Sequence, residues 1–131
     1  MSGVPELGGE LMERRRVLKE KIKDLVPIDV NLISDTYRDY YLDADGNPVE
    51  FKAYGNRTGY IPVCDTYTYC IYCNASWIPS YIHCYDANKN HIGVIQFKSN
   101  TECTILVQKN TKFVMFWGLN VITDAYFKRI S

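Results

Sequence analysis

Pro27 divides this chain into two kinds of text, and the division limits what it can fold into. Ahead of it, Gly9 to Val26 reads as one charged helix. After it, from Ile28 to Ser131, almost nothing does: short apolar and aromatic runs alternate with turn residues, and this stretch holds all eleven tyrosines and all five cysteines. Runs of that kind, with turn signals about every ten residues, predict a β-sandwich. The organisation expected is therefore a tether, residues 1–27, and one β domain, residues 28–131. A short tether on a compact β body suits attachment and display better than catalysis.

Within the tether, Leu11, Leu18, Ile22 and Leu25 fall on one helical stripe. Arg15 interrupts it, the opposite face is Arg, Lys and Glu, and Pro27 ends it. A helix this short is only marginally stable alone in water. It is expected to dock on its own body, on its copies or on another protein; a narrow stripe between charged flanks favours self-association or docking over packing on its own sandwich, and permits a dimer as well as a trimer. Leu7, Leu11, Leu18, Ile22 and Leu25 are the residues assigned to anchoring and oligomerisation.

Fifteen basic and fifteen acidic residues leave no net charge. Without a basic footprint, binding to nucleic acid through phosphates is not expected. No apolar run is long enough to span a membrane. Met1 to Pro5 lacks the basic and apolar regions of a signal peptide, and a protein that leaves the cell inside an assembling virus particle needs none. The five cysteines are then expected to be free thiols acting as small hydrophobes. Cys70 and Cys73 have zinc-like spacing but sit in an alternating run, where residues three apart face opposite ways. Asp43-x-Asp45-x-Asn47 opens like a calcium loop, then places Pro48 and Tyr54 where Gly and Glu are needed. No metal or cofactor is expected. Neither His83 nor His91 has a nucleophile motif beside it, and no Gly-x-Ser-x-Gly elbow or phosphate loop occurs, so the chain is not read as an enzyme.

Strands are expected from Asn31-Leu32-Ile33, 40–42, 49–54, 59–63, 67–75, 80–86, 91–97, 102–107, 112–118 and 124–130, with tight turns at 43–48 and 86–90. Alternation puts Tyr67, Tyr69, Ile71 and Cys73 on one core face. It pairs Ile82 with Cys84 against Tyr81, His83 and Tyr85, and aligns Cys103, Ile105 and Val107. The run Phe113-Val114-Met115-Phe116-Trp117 is apolar on both faces, as in a central strand or one covered by a partner. Sugar binding needs flat exposed rings beside polar groups. The candidate glycan contacts are Tyr54, Tyr60, Trp77, Tyr81 and Tyr85, with Asn56, Arg57, Asn74 and His83 close by in sequence; packing inside the sandwich is the competing role for such rings.

The order of these pieces has a likeness. It runs from Asn31-Leu32-Ile33 through Tyr41-Leu42-Asp43-Ala44-Asp45-Gly46-Asn47 and Thr58-Gly59-Tyr60-Ile61-Pro62-Val63 to Tyr67-Thr68-Tyr69. It then continues through His83-Cys84-Tyr85-Asp86-Ala87-Asn88-Lys89-Asn90 to Lys112-Phe113-Val114-Met115-Phe116. Over about residues 30–131 it resembles the jelly-roll, carbohydrate-binding-module-like domains of bacteriophage fibre, baseplate and tail proteins. Cysteines stand at strand positions that this family usually fills with Ile, Val or Ser. The resemblance implies an antiparallel jelly roll, trimerisation, and an N-terminal segment fixed to capsid or other virion proteins. It implies a place on the virion exterior as a short head fibre or capsid decoration, with surface glycans as possible ligands. A tail or baseplate receptor-binding module is the alternative.

Overall fold

The fold is built around one strand whose two faces are both apolar. The computed structural model of the protein describes residues 26–52, 55–74, 80–118 and 125–131; the anchor residues Leu7, Leu11, Leu18, Ile22 and Leu25, and the helix expected to carry them, lie outside these. Among the described residues there are eleven strands: β1 (Thr36–Arg38), β2 (Tyr40–Leu42), β3 (Pro48–Glu50), β4 (Asn56–Thr58), β5 (Ile61–Pro62), β6 (Tyr69–Tyr72), β7 (Ser80–Tyr85), β8 (His91–Phe97), β9 (Cys103–Ile105), β10 (Phe113–Gly118) and β11 (Tyr126–Arg129). The larger sheet runs β1-β4-β10-β7-β8, with β5 also paired to β10; the smaller runs β11-β6-β9; β2 and β3 form a hairpin. Every pairing between named strands is antiparallel.

One face of β10, Val114 and Phe116, joins Ile82, Cys84, Phe97 and Ile61 of the larger sheet in a core shared with Tyr69, Ile71, Phe127 and Ile105 of the smaller one. This is a sandwich-like, mostly β architecture, and the core alternation expected for 67–73, 82–84 and 103–107 is present in it. Tyr69 lies flat on Phe127, their ring centroids 5.0 Å apart. Its hydroxyl accepts from the Cys64 amide and donates to the Cys64 carbonyl, and burial pushes its pKa up to about 12. The other face of β10, Met115 with Phe113 and Trp117, packs with Tyr85 and Leu42. The β2–β3 hairpin therefore roofs the outer face of the larger sheet. The expectation that this run is apolar on both faces because it is covered on both is met within a single chain.

β4 and β5 act as two halves of one interrupted strand against β10. Thr58 bridges the break: fully buried, its Oγ1 accepts from the Phe116 amide at 3.2 Å and donates to the Gly59 carbonyl at 2.8 Å. Valine keeps the shape and removes the acceptor. Thr58→Val is expected to cost about 1–3 kcal/mol in urea unfolding, because it strands a buried N–H; a cost near zero would show that the amide does not depend on Thr58.

Two expectations need correction. Asn31-Leu32-Ile33 is not a strand. The Asn31 side chain accepts from the Phe127 amide and donates to the Ala125 carbonyl while the Leu32 amide donates to the Phe127 carbonyl, so side chain and backbone share the edge of β11 where a strand ladder was expected. Of the strand expected over 49–54, the described part, residues 49–52, is strand only as far as Glu50. Cys73 enters the shared core, while Cys70 stands on the opposite face of the smaller sheet, aligned with Thr104 and Lys128. All five cysteines are free thiols.

Candidate functional site

Register across the larger sheet lines up one row of side chains on its outer face. Tyr37 pairs with Arg57, Arg57 with Trp117, and Tyr81 with Gln96; the pairing of Phe116 with Ile82 sets Trp117 beside Tyr81. Directly opposed residues share a face. The row Tyr37–Arg57–Trp117–Tyr81–Gln96 thus crosses five strands, roughly 19 Å at the usual inter-strand spacing. Tyr37 and Tyr81 are 42% and 43% exposed; Trp117 and Arg57 are half-buried, and Gln96 is open to solvent. Val94 lies exposed in the neighbouring row beside His83.

The hairpin forms the row's wall. Tyr41 meets Trp117 with ring centroids 5.7 Å apart, and Tyr40 lies against the Arg57 guanidinium, 4.9 Å from ring centroid to Cζ. Tyr37 covers the same guanidinium at 4.2 Å. Gly55 makes room for Trp117, since a Cβ there would sit 2.7 Å from the Gly118 carbonyl oxygen and 3.1 Å from the indole. Its own carbonyl accepts from the Tyr40 amide, which ties the start of the hairpin to the sheet. Chemically the row offers ring faces for apolar C–H surface and two polar side chains, Arg57 and Gln96, for hydroxyl or charged groups.

The candidates read from the sequence divide among several places. Tyr81 belongs to the row. Tyr60 does not: it sits at the other end of the sheet, edge-on to Tyr85 and Phe113 and under the Lys89 ammonium. Tyr85 has to be withdrawn as a surface contact. It is 2% exposed, its hydroxyl donates to the Gly46 carbonyl, and its ring fills the space beneath the hairpin, where no sugar face reaches it. Tyr54 and Trp77 lie outside the described residues. Tyr37 and Trp117 were missed as contacts, and Arg57 was noticed only as a polar neighbour. Thr-Tyr-Arg and Asn-Arg-Thr are too short and too polar to show alternation, and Trp117 looked like core.

Beneath the hairpin turn lies a second polar group. His83 Nδ1 and His91 Nε2 are 3.0 Å apart, one donating and the other accepting. Burial first, and then the neighbouring His91, hold the His83 pKa down at about 4, with Asp43 opposing them weakly. Asp43 caps the turn: its Oδ1 accepts from the Asp45 and Asn47 amides, which hold its carboxyl below the usual range. Asp86 does the same for Asn88 and Asn90. The calcium-like string at Asp43 and the turn at Asp86 are thus the same Asx-turn written twice. Among the described residues no group of three His, Cys, Asp or Glu side chains is arranged to hold a metal ion.

Compared with protein-family models, curated proteins and solved structures, the chain matches none.

Proposed function

We propose that this chain is a bacteriophage virion surface protein, a short head fibre or capsid decoration. In this reading its N-terminal segment docks on the particle and associates three copies. The β body, wound as a jelly roll, faces outward and holds a glycan weakly on the row Tyr37–Arg57–Trp117–Tyr81–Gln96. The virion assignment is supported by the resemblance of residues 30–131 to phage fibre and baseplate domains. The binding assignment is supported by one observation above the rest: exposed aromatic side chains are aligned across the outer face of a sheet rather than packed inside it. Many copies on one particle make even millimolar single-site affinity effective.

The test is glycan-array binding of the full chain. Tyr81→Ala is expected to weaken any signal about tenfold or more, since stacking on one ring contributes on the order of 1 kcal/mol or more. Because Tyr81 stands at the surface, its thermal midpoint should stay within about 1–2 °C of wild type. Blank arrays from a chain that still assembles would leave a purely architectural decoration as the reading. Strong binding with no dependence on assembly would favour a tail or baseplate receptor-binding module.

A further inference from the structure

The larger sheet ends at β8, and that edge is built differently from the other edges of the two facing sheets. A strand edge presents unpaired N–H and C=O groups, and proteins protect it by shortness, charge, proline or a covering segment. β1, at the far end of the same sheet, has three residues, includes Arg38 and lies between Asp35 and Asp39. β5 has two residues and ends in Pro62. β9 has three, directly after Glu102. β11 is covered by the Asp29 and Leu32 amides and the Asn31 side chain. β8 runs for seven residues, His91-Ile92-Gly93-Val94-Ile95-Gln96-Phe97, with no proline and no formally charged side chain. Its one protection is at the start: the register shifts between Cys84 and Tyr85, and Gln108 Nε2 donates to the Ile92 carbonyl at 2.9 Å. Beyond that point, Gly93 to Phe97 has β7 on one side, and among the described residues no backbone pairs with it on the other.

We propose that β8 is the contact through which two copies of this chain join, edge to edge and antiparallel, into one continuous sheet. An open backbone edge is satisfied by another extended backbone, and a second copy supplies one that fits. A twofold axis makes an edge its own partner. The stretch Gly93 to Phe97 carries no charge, so it meets itself without repulsion. All of its residues find partners only about Ile95: Ile95 then opposes Ile95 of the second copy, Val94 opposes Gln96, and Gly93 opposes Phe97. In that register Lys98 falls opposite Ile92 rather than another lysine. Val94, a β-branched side chain 48% exposed at the edge, gains an apolar neighbourhood. The two outer faces become one, with Val94 of the second copy beside Gln96 at the end of the row. A twofold joint cannot close within a group of three, so beside copies associated by the N-terminal segment it links one group to the next. The pairing stands apart from what the row binds.

The experiment uses the full chain. Amide hydrogen exchange is followed residue by residue from low to high micromolar concentration, and mass is measured by sedimentation equilibrium over the same range. In an edge strand the backbone groups that do not pair inward face solvent and exchange fast. Those within 93–97 are expected to slow by about tenfold or more as concentration rises, while the amides bonded to β7 stay as they are. The mass is expected to double above whatever the N-terminal segment sets. Val94→Lys puts a charge on the edge and should raise the dissociation constant about tenfold or more, restoring fast exchange. Its thermal midpoint at low concentration checks that it is folded, and the wild-type exchange pattern decides the matter even if it is not. Outward amides of 93–97 that exchange equally fast at every concentration overturn the proposal. So does concentration-dependent protection at β1 in place of β8. Protection that is already complete at the lowest concentration, in a chain whose mass stays constant, places a cover from the same chain over the edge and overturns it as well.

Discussion

Gly46→Ala is expected to lower stability by about 2–5 kcal/mol. Two costs combine there. Gly46 has φ +74°, and a side chain in the left-handed region costs about 1–2 kcal/mol. Its Cβ would also lie 2.5 Å from His91 Cδ2 and 2.6 Å from the Tyr85 hydroxyl oxygen, and overpacking of that kind typically adds about 1–3 kcal/mol. Relief requires the turn to lift, which breaks the Tyr85 bond to the Gly46 carbonyl and loosens the roof over Met115 and Trp117. Urea unfolding measures the loss, and Trp117 emission reports the loosening. The twin turn supplies the control. Lys89 occupies the equivalent position at φ +63°, with the same two backbone bonds, Lys89 amide to Asp86 carbonyl and Asp86 amide to Asn90 carbonyl. Lys89→Gly removes strain and is expected to stabilise by up to about 1 kcal/mol, reduced by the loss of the ammonium over Tyr60. A harmless Gly46→Ala would show that the hairpin does not sit down on His91.

How much of this was legible follows from the range over which each signal acts. Period-two alternation is local, so Tyr69, Ile71, Cys73, Ile82, Cys84 and Ile105 declared themselves as core before any pairing was known. Asp45-Gly46 announced its turn because only a few residues accept positive φ. Phe113 to Trp117 announced a strand covered twice, yet nothing local says that the second cover is the chain's own hairpin rather than another copy. β1 and β4 were invisible for a different reason: with three residues each, β4 depends on the edge of β10 and β1 on the edge of β4. The row inherits that blindness. Tyr37, Arg57 and Trp117 are 20 and 60 residues apart in sequence and become neighbours only through register. Tyr85 was misjudged because a tyrosine's ring and hydroxyl serve a buried site as well as a surface one, and which it serves depends on Gly46, far away along the chain. Asn31 shows the same limit, since its amide takes over part of the strand pairing that apolar neighbours had suggested.

Acidification from pH 7 to pH 4 is expected to remove about 3 kcal/mol of stability through His83 alone. The sign follows from where the proton prefers to be. In the unfolded chain this imidazole has the ordinary pKa of 6.5, and in the folded protein about 4, so between those values the unfolded state takes up a proton that the folded state refuses. The contribution of neutral His83 is complete above about pH 6.5. It declines as pH falls through that value, by about 2 kcal/mol at pH 5 and about 3 kcal/mol at pH 4, and levels off below. Burial is the larger cause of the refusal, and the groups facing His83 account for the rest. His91 presents a ring nitrogen at 3.0 Å from β8, and a second proton shared across that gap sets two positive charges together. Met115, paired with His83 from β10, brings no charge, and Tyr85 is committed to Gly46. Among the described residues only the Asp43 carboxylate favours the charged form, and solvent screens it at the hairpin turn. Carboxylates do not produce the same curve: Asp43 and Asp86 titrate below their usual values, so their losses begin where that of His83 has nearly ended. His83→Gln removes the titrating group and retains a hydrogen-bonding side chain beside His91. It should be less stable than wild type at pH 7, yet lose little between pH 6.5 and pH 4.5. If wild type and variant fall in parallel across that window in urea titrations at fixed salt, the buried imidazole is not what makes this fold sensitive to acid.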